Sequence, residues 1–402
     1  MSSMIRLLLL FILLLFVSCA PKPITRDNAL KRLSASDYPD FNDSRAYDQL
    51  SRGIEMSLRF LRKLPADQAV VFGPDTYPVA HLIRSLEVFA ALIAENPTPE
   101  ALNRQLRERF VVYAAAGGAE THSVLFTGYY TPVLKGRRDP SPAFPVAIHS
   151  RPTDLVEIDL SLFAEDLKGR HIVGRIVNRT VTPYPDRQAI DELPDFDRLA
   201  PPIAWVKDQV DLFNLMVQGS GKVDLENGQM LTVQFDGSNG RPYRSIGRML
   251  IDEGKVSAER MSMQAIREYL RQHPDEAQTV MNYNPRYIFF KLADDGPIGA
   301  LGVPLTALRS IAVDRAFFPQ AALAFIQVPV PMVDENGAIT EFAPMSGFCL
   351  TQDTGSAITG PGRVDLFWGG SLGAEVAAGH LKKEGRLYFL VLKPDVVDGL
   401  SK

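Results

Sequence analysis

Apolar residues recur along the chain with different periods, and the period divides it into blocks. After an unbroken apolar run at Leu7–Val17, helical spacing begins. Tyr47, Leu50, Ile54, Leu58 and Leu61 fall three or four apart, with Pro65 closing the segment. A second helix is predicted from Val79 to Glu95, with Leu82, Leu86, Phe89 and Ile93 on its buried face and Asn96-Pro97 at its end. A third starts at Thr98-Pro99-Glu100, where proline suits the first turn, and is expected to end before Gly117-Gly118. From Ser123 to about Gly240 the pattern is one of short strands divided by turns. Phe144–Ile148, Ile172–Ile176 and Met230–Phe235 are examples, and such spacing predicts a small barrel. Helical spacing returns at Arg244–Ile251, stopped by Gly254. Ser257 is a candidate N-cap for a further helix carrying Met261, Ala265, Ile266, Tyr269 and Leu270. The remainder is β again, at Tyr287–Phe290, Ile311–Val313, Leu323–Val328 and Leu387–Leu392. The order helix, β, helix, β predicts an α+β chain, mainly β, with one β block inserted into another domain.

Length and charge narrow the classes. The chain has 402 residues, enough for two or three domains, and a net charge of −4, which gives nucleic acid no electrostatic footprint. The N-terminus reads as a targeting segment. Arg6 is followed by Leu7–Val17, too short to span a bilayer comfortably, and then by Ser18-Cys19. The segment resembles a bacterial lipoprotein signal, which implies lipid attachment at Cys19. Phe16 departs from the usual leucine three places before the cysteine. The polar, proline-bearing stretch 20–43 then reads as a tether. The other cysteine, Cys349, would have no partner, so no disulfide framework is predicted and Cys349 reads as a small core residue.

Candidate chemistry gathers near the C-terminus. Asp353 follows Leu350 and precedes Thr354-Gly355-Ser356; Asp365 precedes Leu366-Phe367-Trp368. Carboxylates at the ends of buried strands sit in partly dry surroundings, where desolvation and a like-charged neighbour raise a carboxyl pKa and leave a general acid. By residue chemistry alone, a capped turn and a strand edge account for them equally well. Two more stretches combine glycine with hydrogen-bonding side chains: Thr127-Gly128-Tyr129-Tyr130-Thr131-Pro132 and Gln218-Gly219-Ser220-Gly221-Lys222-Val223. The second is not a phosphate loop, because Met216 stands where the earlier glycine belongs and Val223 replaces Ser or Thr. The six histidines show no metal-binding spacing, and no serine sits in a Gly-x-Ser-x-Gly elbow, so neither a metal nor a triad is predicted.

The stretch around Asp353 and Asp365 resembles the three-aspartate domain of the membrane-bound lytic transglycosylase A family, with Asp314 in Ser310–Asp314 as the third aspartate. Thr127–Pro132, Gln218–Val223, Arg241–Gly247, Asn284–Phe290 and Gly299–Leu305 also resemble family motifs. The resemblance implies a double-psi β-barrel domain with a smaller β domain inserted, and a glycan groove between them. On this chain it implies a signal at 1–19, a tether at 20–43, a large domain at 44–130 and 241–402 with the three-aspartate region at about 300–395, and the insertion at 131–240. It further implies cleavage of the β-1,4 bond between N-acetylmuramic acid and N-acetylglucosamine of peptidoglycan, with 1,6-anhydro ring closure and no cofactor. Asp365 would be the catalytic residue, supported by Asp353 and Asp314. Gly128, Tyr129, Tyr130, Thr131, Gln218, Gly219, Ser220, Gly221 and Gly355 would contact the glycan. The implied partners are glycan strands and the membrane, reached by the lipid on the periplasmic face of the outer membrane. Two rival readings remain: a lipid-anchored murein-binding module without catalysis, and an aspartic protease, for which Asp353-Thr354-Gly355 fits but no second such motif exists.

Overall fold

A computed structural model describes residues 24–117, 123–294 and 296–396. The first unit opens with β1 (Leu30–Arg32), the hairpin of β2 (Ala69–Phe72) and β3 (Asp75–Pro78), then β4 (Phe110–Ala115) and β5 (Val124–Tyr129). The chain then builds β6 (Val133–Arg137), β7 (Val146–His149), β8 (Val156–Asp159), β9 (His171–Val177), β10 (Thr180–Pro183), β11 (Pro202–Val206), β12 (Ser220–Leu225), β13 (Met230–Ser238) and β14 (Ile288–Ala293). It returns with β15 (Ser310–Ala312), β16 (Leu323–Val333), β17 (Ile339–Asp353), β18 (Arg363–Phe367) and β19 (Lys382–Leu392).

In the first unit β5, β18, β15, β17, β16 and β19 pair in that order, and β19 pairs back on β5, closing a six-stranded barrel. The pairs β15/β17 and β5/β18 are parallel and the others antiparallel. Closure leaves these strands no free edge. The apolar runs seen in the sequence are fully buried on both faces of the barrel wall: Val364, Leu366 and Phe389 belong to the inner face, and Phe325, Phe348 and Leu350 to the outer one, where the Phe348 ring lies 4.7 Å from that of Phe89 and Leu350 packs against Gly53. Helices Leu50–Leu61 and Val79–Ala94 cover its outside with the faces their spacing predicts. In the second unit β14, β13, β12, β6, β11 and β7 form one sheet, and a bridge from Ser150 to Phe290 joins its two edges. Strands β8, β9 and β10 form a small sheet beside it, and Val173 of β9 packs against its core.

Several expectations are corrected. The second unit does not end at Gly240. The chain leaves its sheet at Ser238 and returns at Ile288, where β14 pairs along β13, so Ile288–Ala293 belongs to this sheet and not to the large domain. The helix begun at Thr98 stops at Arg109, because Phe110-Val111-Val112-Tyr113, aromatic and β-branched, pairs as β4 with β19 instead. Ser262, not Ser257, caps the helix Met263–Gln272 through its hydroxyl on the Ala265 amide (3.1 Å). The stretch from residue 24 to 43 is no loose tether. Leu30 pairs in the sheet, Phe41 is fully buried, and Asp43 forms a buried ion pair with Arg309. Few apolar anchors in a polar, proline-bearing stretch gave the sequence no period by which to reveal this.

Candidate active site

The barrel sheet brings the two aspartates together. Ala312 of β15 pairs with Asp353 on one side and with Asp365 on the other. Beyond β18, Asp365 is registered against Thr127 of β5. Alternation decides which side chains face out. Val364 and Leu366 point into the barrel, so Arg363 and Asp365 point away from it; Val124 and Phe126 point in, so Thr127 and Tyr129 point out. One outer wall therefore carries Asp353, Asp365, Thr127, Tyr129 and Arg363.

The two carboxylates differ in their hydrogen bonds. Oδ1 of Asp353 accepts from the backbone amides of Ala300 and Thr354 (both 2.9 Å), and Oδ2 accepts from the Tyr129 hydroxyl (2.8 Å). Burial raises its pKa, and these three donors pull it back. Asp365 accepts from the Thr127 hydroxyl (2.8 Å). Burial is again the main cause of the shift, with Asp353 adding to it, and it pushes the Asp365 carboxyl up to about 6 against the opposing pull of Thr127 and Arg363. Tyr129 is held protonated by burial and by Asp353, and its ring lies 5.1 Å from that of Phe367. Asp314 stands two residues past β15. Its Oδ2 accepts from the Gly360 amide (2.7 Å) and its Oδ1 from that of Ala316 (2.9 Å), so it fastens the loop that joins Asp353 to β18.

The other predicted site residues divide. Gly355 is half-buried in that same loop. Gly128 serves packing: a Cβ there would lie 2.7 Å from the Ala378 Cα, so glycine lets helix Leu372–His380 close on β5. Tyr130 and Thr131 are buried and belong to the joint between the units. The Tyr130 amide donates to Gln218 Oε1 (3.0 Å), its hydroxyl accepts from Asn214 (2.9 Å), and the Thr131 amide donates to the Gly369 carbonyl (2.8 Å). Gly219 ends helix Gln209–Gln218 with a φ of +79°, and Ser220 and Gly221 begin β12, where Gly221 makes room for Leu215. These residues form the joint's geometry; Tyr129, unlike Gly128 and Tyr130, reaches a carboxylate, that of Asp353. Thr127 and Arg363 are additions to the predicted site residues, although Thr127 opens one of the candidate stretches. Their signal was positional: each lies two residues from a site residue on the same strand.

Residues 125–291 match the MltA specific insert domain, and residues 309–391 match the 3D domain. The membrane-bound lytic murein transglycosylase A of Escherichia coli strain K12 is 31% identical over 283 residues, which cover 69% of this chain and 68% of that protein. The chain belongs to the membrane-bound lytic murein transglycosylase A family. A second family member, from Vibrio cholerae, is 27% identical over 400 residues, covering 96% of this chain and 95% of that one. The fold is shared with the crystal structure of a membrane-bound lytic murein transglycosylase from Agrobacterium tumefaciens, at a TM-score of 0.75 and 30% identity, over 93% of this chain and all of that one. The insert-domain match ends at residue 291, inside β14, in keeping with the position of that strand in the second sheet. Among the described residues no helix is long and apolar enough to cross a membrane.

Proposed function

We propose that Asp365 is the single acid and base of this family's reaction in this chain. The protein is a peptidoglycan lytic transglycosylase. It cleaves the β-1,4 bond between N-acetylmuramic acid and N-acetylglucosamine without water. The observation that carries the assignment is the split between two neighbouring carboxyls. Asp353 is engaged by three donors, while Asp365, with one hydroxyl donor, is pushed up to about 6 and is the group that can hold a transferable proton. Protonated Asp365 donates to the glycosidic oxygen as the bond to C1 breaks. Its carboxylate then takes the proton of the muramic C6 hydroxyl, whose oxygen closes on C1. An intramolecular nucleophile has an effective concentration that water lacks, so no second base is needed. Tyr129, Gly355 and the outer wall around them face the glycan. Asp353 fixes the end of β17 and adds negative charge beside Asp365, and Asp314 holds the intervening loop.

The protease reading conflicts with the register. Asp353 and Asp365 lie on strands of one sheet separated by β15, with backbones roughly 9–10 Å apart at ordinary strand spacing, and not on the pair of equivalent loops whose carboxylates share one proton. Hydrolysis by paired carboxylates would need a second carboxylate to activate water, but Asp353 is occupied by its donors and is not free to do so. Digestion of purified sacculi in ¹⁸O-water tests this. We expect 1,6-anhydro-muropeptides without heavy oxygen at C1. Reducing-end products carrying ¹⁸O would replace the reading by hydrolysis, and intact sacculi with bound protein would replace it by a binding module.

Cys19 lies outside the described residues. The charged Arg6, the apolar Leu7–Val17 and Ser18-Cys19 support lipid attachment there, and Ala20, in place of an aspartate, supports the periplasmic face of the outer membrane. Cys19→Ser is expected to move the protein from the membrane fraction to the soluble one. Unchanged partitioning would rule out Cys19 as the anchor.

A further inference from the structure

Asp365 passes through two charge states in each turnover, neutral, then anionic, then neutral again. A residue that does so needs something beside it whose charge does not change. On the outer wall, Arg363 is two residues before Asp365 on β18 and so shares its face. The two are linked through Thr127. The Thr127 hydroxyl donates to Asp365 Oδ1 (2.8 Å) and lies 3.5 Å from Arg363 Nη2, which donates to it. A hydroxyl has one proton to give and lone pairs to receive with, so a single side chain can do both. The guanidinium is itself fixed from another side: Nη1 donates to the Ala357 carbonyl (3.0 Å), in the loop fastened by Asp314. Tyr243, from the segment returning from the second unit, lies near enough for the Arg363 charge to act on its phenol.

We infer that Arg363 and Thr127 are positioning residues for the reaction, holding Asp365 in place and favouring its carboxylate in the interval between giving up one proton and receiving the next. The inference rests on Asp365 being the acid. In the first step the Asp365 O–H bond breaks, the glycosidic oxygen takes the proton, and the electron pair of the C1–O bond leaves with it. In the second the C6 oxygen bonds to C1 and its proton passes to Asp365, restoring the acid. The glycosidic oxygen is a weak base, so an acid held too firmly in its neutral form is a poor donor. The groups facing Asp365 pull in opposite directions. Asp353, fastened by Tyr129 from β5, opposes the anion; Thr127 from β5 and Arg363 from β18 favour it. The balance of these forces, with burial, sets the pH range in which the residue works.

The test is a pH profile of kcat/KM on the full chain for Arg363→Gln, Arg363→Lys, Thr127→Val and Thr127→Ser, with the titration of the Asp365 carboxyl followed by ¹³C NMR. Loss of either favouring group strengthens the hold on the proton. Both Arg363→Gln and Thr127→Val should therefore move the alkaline limb to higher pH by roughly half a unit to one unit. They should also lower kcat by about 10²-fold or less. Lysine at 363 and serine at 127 should bring the limb back toward the parent. Thr127→Val keeps the shape of the side chain, so the idea stays testable if Arg363→Gln loosens the Ala357 loop. A carboxyl titration that stays where it is in both variants would sink the role given to Arg363 and Thr127 alone. A titration that moves while the rate profile does not would sink Asp365 as the acid, and this inference with it.

Discussion

Asp365→Asn is expected to remove nearly all anhydro-muropeptide release while leaving the fold intact. Asparagine keeps the shape of the side chain and can still accept from Thr127, but it has no proton to exchange. General acid–base groups are worth about 10²–10⁴-fold, and since one group here serves both proton transfers the loss belongs at the top of that range, ~10⁴-fold. The same variant should be more stable than the parent above pH 6. The folded carboxyl is raised to about 6 from the usual 3.8, so its contribution to stability is fully present below about 4 and is lost as pH rises through 6. A neutral amide does not suffer that loss. At about 1.4 kcal/mol per pH unit, the gap sets an upper bound of roughly 3 kcal/mol on the gain at neutral pH. Activity of the parent falls over the same range, because the free enzyme must begin protonated. A glycan strand that covers the wall removes more water and moves the limb upward once substrate is bound. Urea denaturation of the two proteins at pH 5 and pH 8, beside a sacculus digest, checks both halves. A folded Asp365→Asn protein that still forms anhydro ends would pass the assignment to Asp353.

The second large effect is on stability. The Arg309 guanidinium is fully buried and donates to Asp43 Oδ2 (2.6 Å) and Oδ1 (3.0 Å), to the Asp48 carbonyl (2.7 Å) and to the Phe348 carbonyl (3.0 Å). Asp43 in turn accepts from the Phe348 amide (3.1 Å). This pair locks the N-terminal segment onto β17 and onto the residue that leads into β15, the strand lying between the two site aspartates. Arg309→Met leaves a buried carboxylate without its partner, which costs about 3–5 kcal/mol. Converting both members, Arg309→Met with Asp43→Leu, should recover a large part of that loss, because the isolated charge rather than the lost pair is the main cost. Denaturant midpoints of the single and double variants decide it. A single variant within about 1 kcal/mol of the parent would mean that water reaches Asp43 and the pair is not sealed.

Much of the fold was legible because its signal is local. The helices Leu50–Leu61 and Val79–Ala94 show their buried faces at a spacing of three and four, and the strands β16 and β19 are apolar runs long enough to be read alone. What was misread were an element boundary and a sheet assignment, both of which a distant pairing partner decides. Phe110–Ala115 follows a helical stretch in sequence and becomes a strand because β19 offers it an edge; Ile288–Ala293 is read as β from its sequence, and only its place in the second sheet comes from its pairing with β13.

The site divides along the same line. That Asp353 and Asp365 lie at the ends of apolar runs beside small residues is plain from the residues alone, and motif likeness pointed to Asp365 for the chemistry. Folding adds that Ala312 stands between them, that Tyr129 and two amides engage one and Thr127 the other, and that Tyr130 and Thr131 hold a joint. The physical reason is that a carboxyl's proton affinity depends on burial and on the donors that reach it. Apart from the neighbouring Thr354 amide, those donors come from residues 127, 129 and 300, far away along the chain and adjacent only once β5, β15, β17 and β18 have paired.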